Sequence, residues 1–410
     1  MMKITPPEQT SENESAEEIN VSARTARLLL RLLRAAQPIS RIELARRLGI
    51  NRSTVTDTFK PLITAGLIRE EPLKTASETN RLQGRPPIGI SFNDERDFFI
   101  GVNLGVRHTQ IGTTTLNGEI MAEEDFETPS EPKAALRLTR EKIEKLHRQN
   151  ADRQLRVIGV SVPGLTDSER RKLLFAPNLD WHNVAIADAL QLNETIKVIV
   201  ENDSTAAAMY EARMKIRYSS DGLMHDFIVI RSGTGIGVGM VIGSEVYRGS
   251  GAGRGIAGEF GHMTIVAGGK LCVCGNRGCW EKYASAAAAA SLYLGDRAHR
   301  DERAPRFVEI VARAENGEVR ARRTLEKIGD YLGIGIANVI VGIGIPRVIV
   351  SGRLVYGWKY IKKPLNEAIQ RSIVGKLEGW SVEVGEPVGA AIGGALEVAV
   401  EEYLTNGLTV

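Results

Sequence analysis

Cysteine is scarce in this chain of 410 residues: there are three, Cys272, Cys274 and Cys279, all within one short window. An odd number so closely grouped excludes a disulfide framework and suits a metal site in a reducing compartment. Long apolar runs are missing as well. The longest are short and broken by glycine, which excludes a membrane span, and the polar, acidic start lacks the basic-then-apolar order of a signal peptide. A cytoplasmic location is expected. Nor is there a large excess of one charge, the formal balance being +3. That balance hides an asymmetry, because residues 21–95 hold thirteen Lys and Arg against seven Asp and Glu. Such a basic segment argues for nucleic acid only if a matching fold goes with it.

What is present is ordinary globular material, 43% hydrophobic and 25% charged, and too long for one small core. Residues 1–20 are rich in Glu, Ser, Asn and Pro without apolar periodicity and read as a disordered tail. From Ser22, the positions Ala26, Leu29, Leu30, Leu33 and Ala36 mark a helix face that Pro38 ends. Ser40 can cap a second short helix carrying Ile42, Leu44, Ala45 and Leu48, closed by Gly49. Asn51 is placed to cap a third helix from Arg52 to Ala65, with Gly66 after it and Pro61 expected to kink it.

Helix, short helix, glycine turn and a helix with a polar start is the helix-turn-helix order, in which the third helix enters the major groove. Arg52, Ser53, Thr54 and Thr56 would face base edges or phosphates there, with Lys60 on the backbone side. The stretch from Lys74 to Gln83 can form a wing before "GRPPIGISF" returns as a strand. Arg85, stiffened by the prolines after it, suits a narrow minor groove, although the same stretch would also serve as a rigid linker. A plain three-helix bundle is the alternative for residues 21–90, which are otherwise a winged helix-turn-helix domain binding double-stranded operator DNA.

Beyond residue 91 the texture alternates apolar strands with helical patterns, an α/β module without solenoid repeats. Strands are expected at "FFIGVNLG", "RVIGVSVPG", "IKVIVEND", "DFIVIRSGTGIGVGMVIG" and "PRVIVSGRL". Helices are expected at Lys133–Gln149, "STAAAMYEAR" and "VGAAIGGALEVAVEEYL". His262 stands ten residues before the C-x-C-x4-C array of Cys272, Cys274 and Cys279. One imidazole and three thiolates form a closed tetrahedral Zn2+ set of structural type, with Gly275 and Gly278 turning the knuckle of residues 262–279 back toward the ion. Three unrelated buried cysteines are the alternative.

At Gly261–Glu281 the pattern G-H, then C-x-C-G-x-x-G-C-x-E, resembles the ROK family of repressors, open reading frames and sugar kinases. The resemblance extends from about residue 96 to the C-terminus, and the family's repressor branch also carries an N-terminal winged helix. It implies a two-lobed module of the ribonuclease H-like, actin-like ATPase type spanning 91–410. Sugar contacts are implied at Gly164, Asn178, Asn202, Asp203, Glu259, His262 and Glu281. His262 would serve twice, one ring nitrogen on the metal and the other toward a sugar hydroxyl. In the family's kinases the residue matching Asp203 accepts the proton of the attacking hydroxyl. Here the first phosphate loop, D-x-G-G-T-K in those kinases, is replaced by Asn103, Leu104, Gly105, Val106 and Arg107. The Leu and Val side chains are expected to obstruct it, while the second glycine loop, Ser232–Gly239, is intact. The expectation is a non-enzymatic, sugar-responsive repressor acting as a homodimer or tetramer on its operator, with a ROK-type hexokinase bearing a DNA-binding domain as the alternative. Which sugar or sugar phosphate acts is not encoded in these shared residues.

Overall fold

The computed structural model describes residues 11–73, 87–218, 226–250, 255–295, 304–387 and 389–407. They divide into two units. One is built on the chain up to Asp94 together with residues 216–218 and Tyr403–Gly407, and the other on Glu95–Lys215 and the described residues from 226 to Glu402.

In the first unit, helix α1 (Ser11–Ala36) is followed by β1 (Ile39–Ser40), α2 (Arg41–Leu48), α3 (Arg52–Thr64), β2 (Ile68–Pro72) and β3 (Ile88–Phe92). The helix reaches back to Ser11, into the segment expected to be a disordered tail. Glu and Ala are strong helix formers, so a helix nucleated on the Leu-rich part downstream can extend over them. Ser40 Oγ accepts from the Glu43 amide at 3.1 Å, capping α2. Asn51 occupies the N-cap position of α3 but makes no side-chain cap bond, and the helix runs through Pro61 to Thr64. Leu29, Leu33, Leu44, Val55, Phe59 and Ile90 are fully buried and join helices to sheet, whereas Ile42 is exposed. The antiparallel order β1-β3-β2 closes a small winged-helix sheet. The expected wing from Lys74 and the "GRPP" Arg85 lie outside the described residues.

The second unit holds two five-stranded sheets. The first takes β4 (Asp97–Leu104), β5 (His108–Thr114), β6 (Ile120–Glu127), β7 (Gln154–Val162) and β11 (Lys197–Asn202) in the order β11-β7-β4-β5-β6. Strand β4, central and buried along its whole length, is mostly apolar, while edge strand β6 exposes Glu123, Asp125 and Glu127 along with Ile120 and Met121 at its start. Helix α4 (Pro132–Gln149) packs Ile143 and Leu146 on this lobe's core. A small sheet of β8 (Leu165–Thr166), β9 (Leu173–Ala176) and β10 (Trp181–Val184), with α5 (Ile186–Leu190), leads into β11.

Helix α6 (Asp203–Tyr218) leads from β11 to the second sheet: β12 (Phe227–Ser232), β13 (Ile236–Ile242), β14 (Glu245–Tyr247), β15 (Arg347–Gly352) and β16 (Ser381–Val384), ordered β14-β13-β12-β15-β16. Between β14 and β15 run α7 (Glu281–Ala284), α8 (Ala286–Leu294), α9 (Phe307–Glu315) and the long α10 (Val319–Ile343); α11 (Trp358–Gln370) packs on α10, and α12 (Gly389–Glu402) ends the unit on the first sheet. Neither α10 nor α11 is among the helices expected from sequence. Their faces, such as Leu325, Ile328, Leu332, Leu365 and Ile369, fill the second lobe's core.

A chain of ion pairs ties the far end of α12 to β11. Arg170, at φ 57°, binds Glu402 (Nη1 to Oε2, 2.9 Å) and lies 3.2 Å from Glu201. Arg248 pairs with Glu201 at 2.7 Å and Lys197 with Glu402 at 2.5 Å.

Candidate sugar and metal site

The polar residues at the carboxyl end of β11 are held by a helix cap. Asn202 Oδ1 accepts from the amides of Ser204 (2.8 Å) and Thr205 (3.2 Å), starting α6, which leaves its amide nitrogen to donate to Gly164 O at 3.0 Å. The same nitrogen lies 3.5 Å from Glu259 Oε1. Glu259 begins a short 3-10 turn that ends at His262, and its Oε2 is 3.7 Å from His262 Nε2. On the other ring edge, His262 Nδ1 is 3.6 Å from Cys272 Sγ and 3.9 Å from Glu281 Oε1. Glu281 and Asn178 both lie over Gly235, where a side chain would strike Glu281 Oε2. The seven residues expected to meet a sugar therefore form one connected cluster, each of their carboxylates and amides able to bind vicinal hydroxyls.

Three of them are acids. Burial, and then the charges of Asp203 and Glu281, push Glu259 up to about 7 in the protein alone; a cation nearby would draw it back down. Asp203 forms an ion pair with Arg231 at the end of β12. Sequence reading missed Arg231. Its signal is a lone charge inside the apolar run "FIVIRSG", next to a glycine turn.

His262, Cys272, Cys274 and Cys279 bring their ligand atoms within 4.8 Å of one another. Ligands at about 2.3 Å around a tetrahedral ion lie roughly 3.8 Å apart. The Cys274–Cys279 sulfur separation is 3.7 Å and the Cys272–His262 separation 3.6 Å, so the set fits such an ion. Gly278, at φ 82°, sits where any side chain would hit Val266 O, which only glycine satisfies. Burial raises the Cys272 and Cys279 thiols, so a bound cation is what would make them thiolates. Trp280, fully buried, donates from Nε1 to Tyr331 O at 3.0 Å and lies against Gly335, fixing the knuckle to α10.

The first phosphate-loop segment differs from its expected form. Leu104 is fully buried in the first lobe's core and obstructs nothing, because it is the last residue of β4. Closure is achieved by the backbone instead. Gly105 N donates to His108 O (3.1 Å), Thr128 Oγ1 to Gly105 O (2.9 Å) and Thr128 N to Arg107 O (2.9 Å), making a tight β4–β5 turn whose carbonyls are engaged. Asn103 is buried and bonded to Ser161 and Gln110. The turn Gly233–Gly235 between β12 and β13 is intact, with Thr234 exposed.

On α3, Arg52, Ser53, Thr54, Thr56 and Lys60 are all exposed, and among the described residues no acid engages Arg52 or Lys60. Thr56 Oγ1 donates to Arg52 O at 3.0 Å, which leaves its oxygen as an acceptor only.

The chain belongs to the ROK family, whose model matches residues 99–397. A winged helix-turn-helix DNA-binding model matches residues 16–69. The xylose repressor of Bacillus subtilis is 27% identical over 371 residues, covering 88% of this chain and 90% of that protein. The glucokinase of Streptomyces coelicolor is 30% identical over 291 residues, covering 67% and 88%. The crystal structure of a ROK family transcriptional regulator, a homologue of the E. coli MLC protein, superposes with a TM-score of 0.73 at 24% identity, covering 95% of this chain and 98% of that one, a likeness of fold. Among the described residues, no helix is long and apolar enough to cross a membrane.

Proposed function

We infer that this protein is a sugar-responsive transcriptional repressor. The observation that carries the reading is the joining of a winged helix-turn-helix unit to a ROK module in which the acids and amides expected to meet a sugar lie together, while its first phosphate-loop segment lacks the kinase residues. Similarity to repressors over nearly nine-tenths of the chain supports it. Phosphoryl transfer depends on cradling and neutralising phosphates, and here the Asp, the second Gly and the Thr of the kinases' first phosphate loop are replaced by Asn103, Val106 and Arg107. Asp203, paired with Arg231, serves as a sugar contact rather than a base.

His262, Cys272, Cys274 and Cys279 would hold one structural Zn2+. The ion would supply rigidity, with His262 Nε2 left to face the sugar beside Glu259. Asn178, Asn202, Glu259 and Glu281 would orient hydroxyls, and Gly164 would border the ring. The DNA contacts would be Arg52, Ser53, Thr54, Thr56 and Lys60, joined by Arg85. A homodimer in the cytoplasm would place two such heads on paired half-sites. Sugar binding need change operator affinity by only about 5- to 150-fold, a coupling of about 1–3 kcal/mol.

The kinase reading keeps one observation in its favour, the intact Gly233–Gly235 turn beside Asp203. The two separate experimentally. In the repressor, Glu281→Ala abolishes the response of operator binding to a sugar panel and leaves DNA affinity intact, while Arg52→Ala weakens operator binding in every condition. ATP-dependent sugar phosphorylation that disappears in Asp203→Ala would establish the kinase instead.

A further inference from the structure

Helix α3 carries a charge that its fold does not explain. Val55, Phe59 and Leu62 are its buried face. At about 100° per residue, the face turned furthest from them runs through Ser53, Asp57, Lys60 and Thr64, all exposed. Asp57 stands at the centre of that face. An acid in the first turn of a helix is favoured by the helix dipole, but Asp57 is the sixth residue of α3, too far along for that benefit. Nor, among the described residues, does any basic side chain pair with it. The threonine hydroxyls of α3 are turned back on the helix: Thr56 Oγ1 donates to Arg52 O (3.0 Å), Thr58 Oγ1 to Thr54 O (2.8 Å) and Thr64 Oγ1 to Lys60 O (3.0 Å). Around Asp57 the exposed side therefore presents acceptor oxygens, with the donors Arg52 and Ser53 before them and Lys60 after.

In a helix that enters the major groove, such an acid is unfavourable unless a donor answers it, because the phosphates on both walls repel a carboxylate whatever the sequence. Two donors are on offer among the base edges there, the amino groups of cytosine N4 and adenine N6. Adenine sets its N7 acceptor beside the amino group, guanine shows two acceptors, and thymine shows an acceptor and a methyl. Cytosine is the one base that gives a carboxylate a donor with no acceptor of its own beside it. We propose that Asp57 is a specificity residue, accepting a hydrogen bond from cytosine N4 at one base pair of the operator site. The proposal rests on the reading of α3 as the helix that meets DNA, and it names a base which that reading leaves open. Asp57 would lower affinity for DNA at large and restore it at the sites with cytosine in place.

The test is selection from a pool of random-sequence duplexes by the full-length protein, with sequencing of the bound fraction, for the parent, Asp57→Asn and Asp57→Ala. The parent is expected to enrich a motif with a cytosine whose exchange for any other base weakens binding about tenfold. Asn is isosteric with Asp and fits adenine N6 and N7 together, so Asp57→Asn should move that one position from cytosine to adenine and keep the rest of the motif. Asp57→Ala should leave the position degenerate and bind unrelated duplex more tightly than the parent does, since the repulsion has gone. A merely structural role for Asp57 would weaken binding to every sequence alike and change no position of the motif. That result, or the same motif from the parent and both variants, overturns the assignment while leaving the DNA-binding unit standing. Enrichment of no sequence by the parent overturns both. A variant that enriches a motif of its own reports that it has folded.

Discussion

Replacing Arg170 by alanine tests whether the ion-pair chain at the end of α12 holds the larger unit together. Alanine carries the same Cβ, so the left-handed backbone at this position, φ 57°, is as strained in the variant as in the parent, and the difference reads the guanidinium alone. Glu201 and Glu402 each have side chains 4% exposed. Removing one partner of a buried ion pair costs about 3–5 kcal/mol when it strands a charge. Here neither carboxylate is stranded, because Glu201 keeps Arg248 and Glu402 keeps Lys197. The loss is then one aligned charge-assisted hydrogen bond, Nη1 to Glu402, plus the unaligned contact of Nε with Glu201, about 2–3 kcal/mol. That is roughly a 30- to 150-fold shift in the unfolding equilibrium. Urea unfolding followed by tryptophan fluorescence reads this unit by itself, since Trp181, Trp280, Trp358 and Trp380 all lie in it and there is no other tryptophan. A loss below about 0.5 kcal/mol, the size of an ordinary surface substitution, would refute the argument.

The metal set predicts one zinc per chain by elemental analysis, lost in Cys279→Ser together with sugar binding but not operator binding; a purified chain with no stoichiometric metal would sink the assignment. Gly335→Ala forces a methyl into the Trp280 ring and should cost about 1–3 kcal/mol by the same urea assay, an overpacking penalty that a neutral result would disprove. Hydrogen bonds from Arg46 and Arg47 hold Glu43 down to about 2. A carboxylate depressed in the folded state contributes stability above its unfolded value, near 4.5, and loses it as pH falls toward 2. Because the cluster is partly exposed, Glu43→Gln should cost no more than about 1 kcal/mol at pH 7, and the cost should fade as pH falls through 2. A carboxyl titration by NMR with its midpoint above 4 would contradict this.

The parts of the site that could be read from sequence are those in which local spacing is the chemistry. Cysteines two and five residues apart, a histidine ten residues before them and an Asn-Asp pair closing an apolar strand keep their meaning wherever the strand lies. The helix-turn-helix was legible for the same reason, through Ser40, Gly49 and the polar start of α3. What escaped depends on distant partners. Arg231 takes its role from Asp203 across the cleft, and nothing near it in the chain announces that pairing. Leu104 looked like an obstruction until the register of β4 showed it pointing into the core. Helices α10 and α11 were not resolved as elements, although each buries one face against the other. The extension of α1 to Ser11 was hidden because its extra turns carry no apolar pattern.

The anchoring of the knuckle by Trp280 bears on the order in which the molecule is assembled. Its four ligands are close in sequence, so closing a loop around an ion there costs little entropy, and the site can load while the chain is still being made. The slot that receives Trp280, between Tyr331 and Gly335, does not exist until α10 has been synthesised and docked. Metal capture during synthesis would therefore precede completion of the second lobe, and zinc starvation would act first on the yield of folded protein.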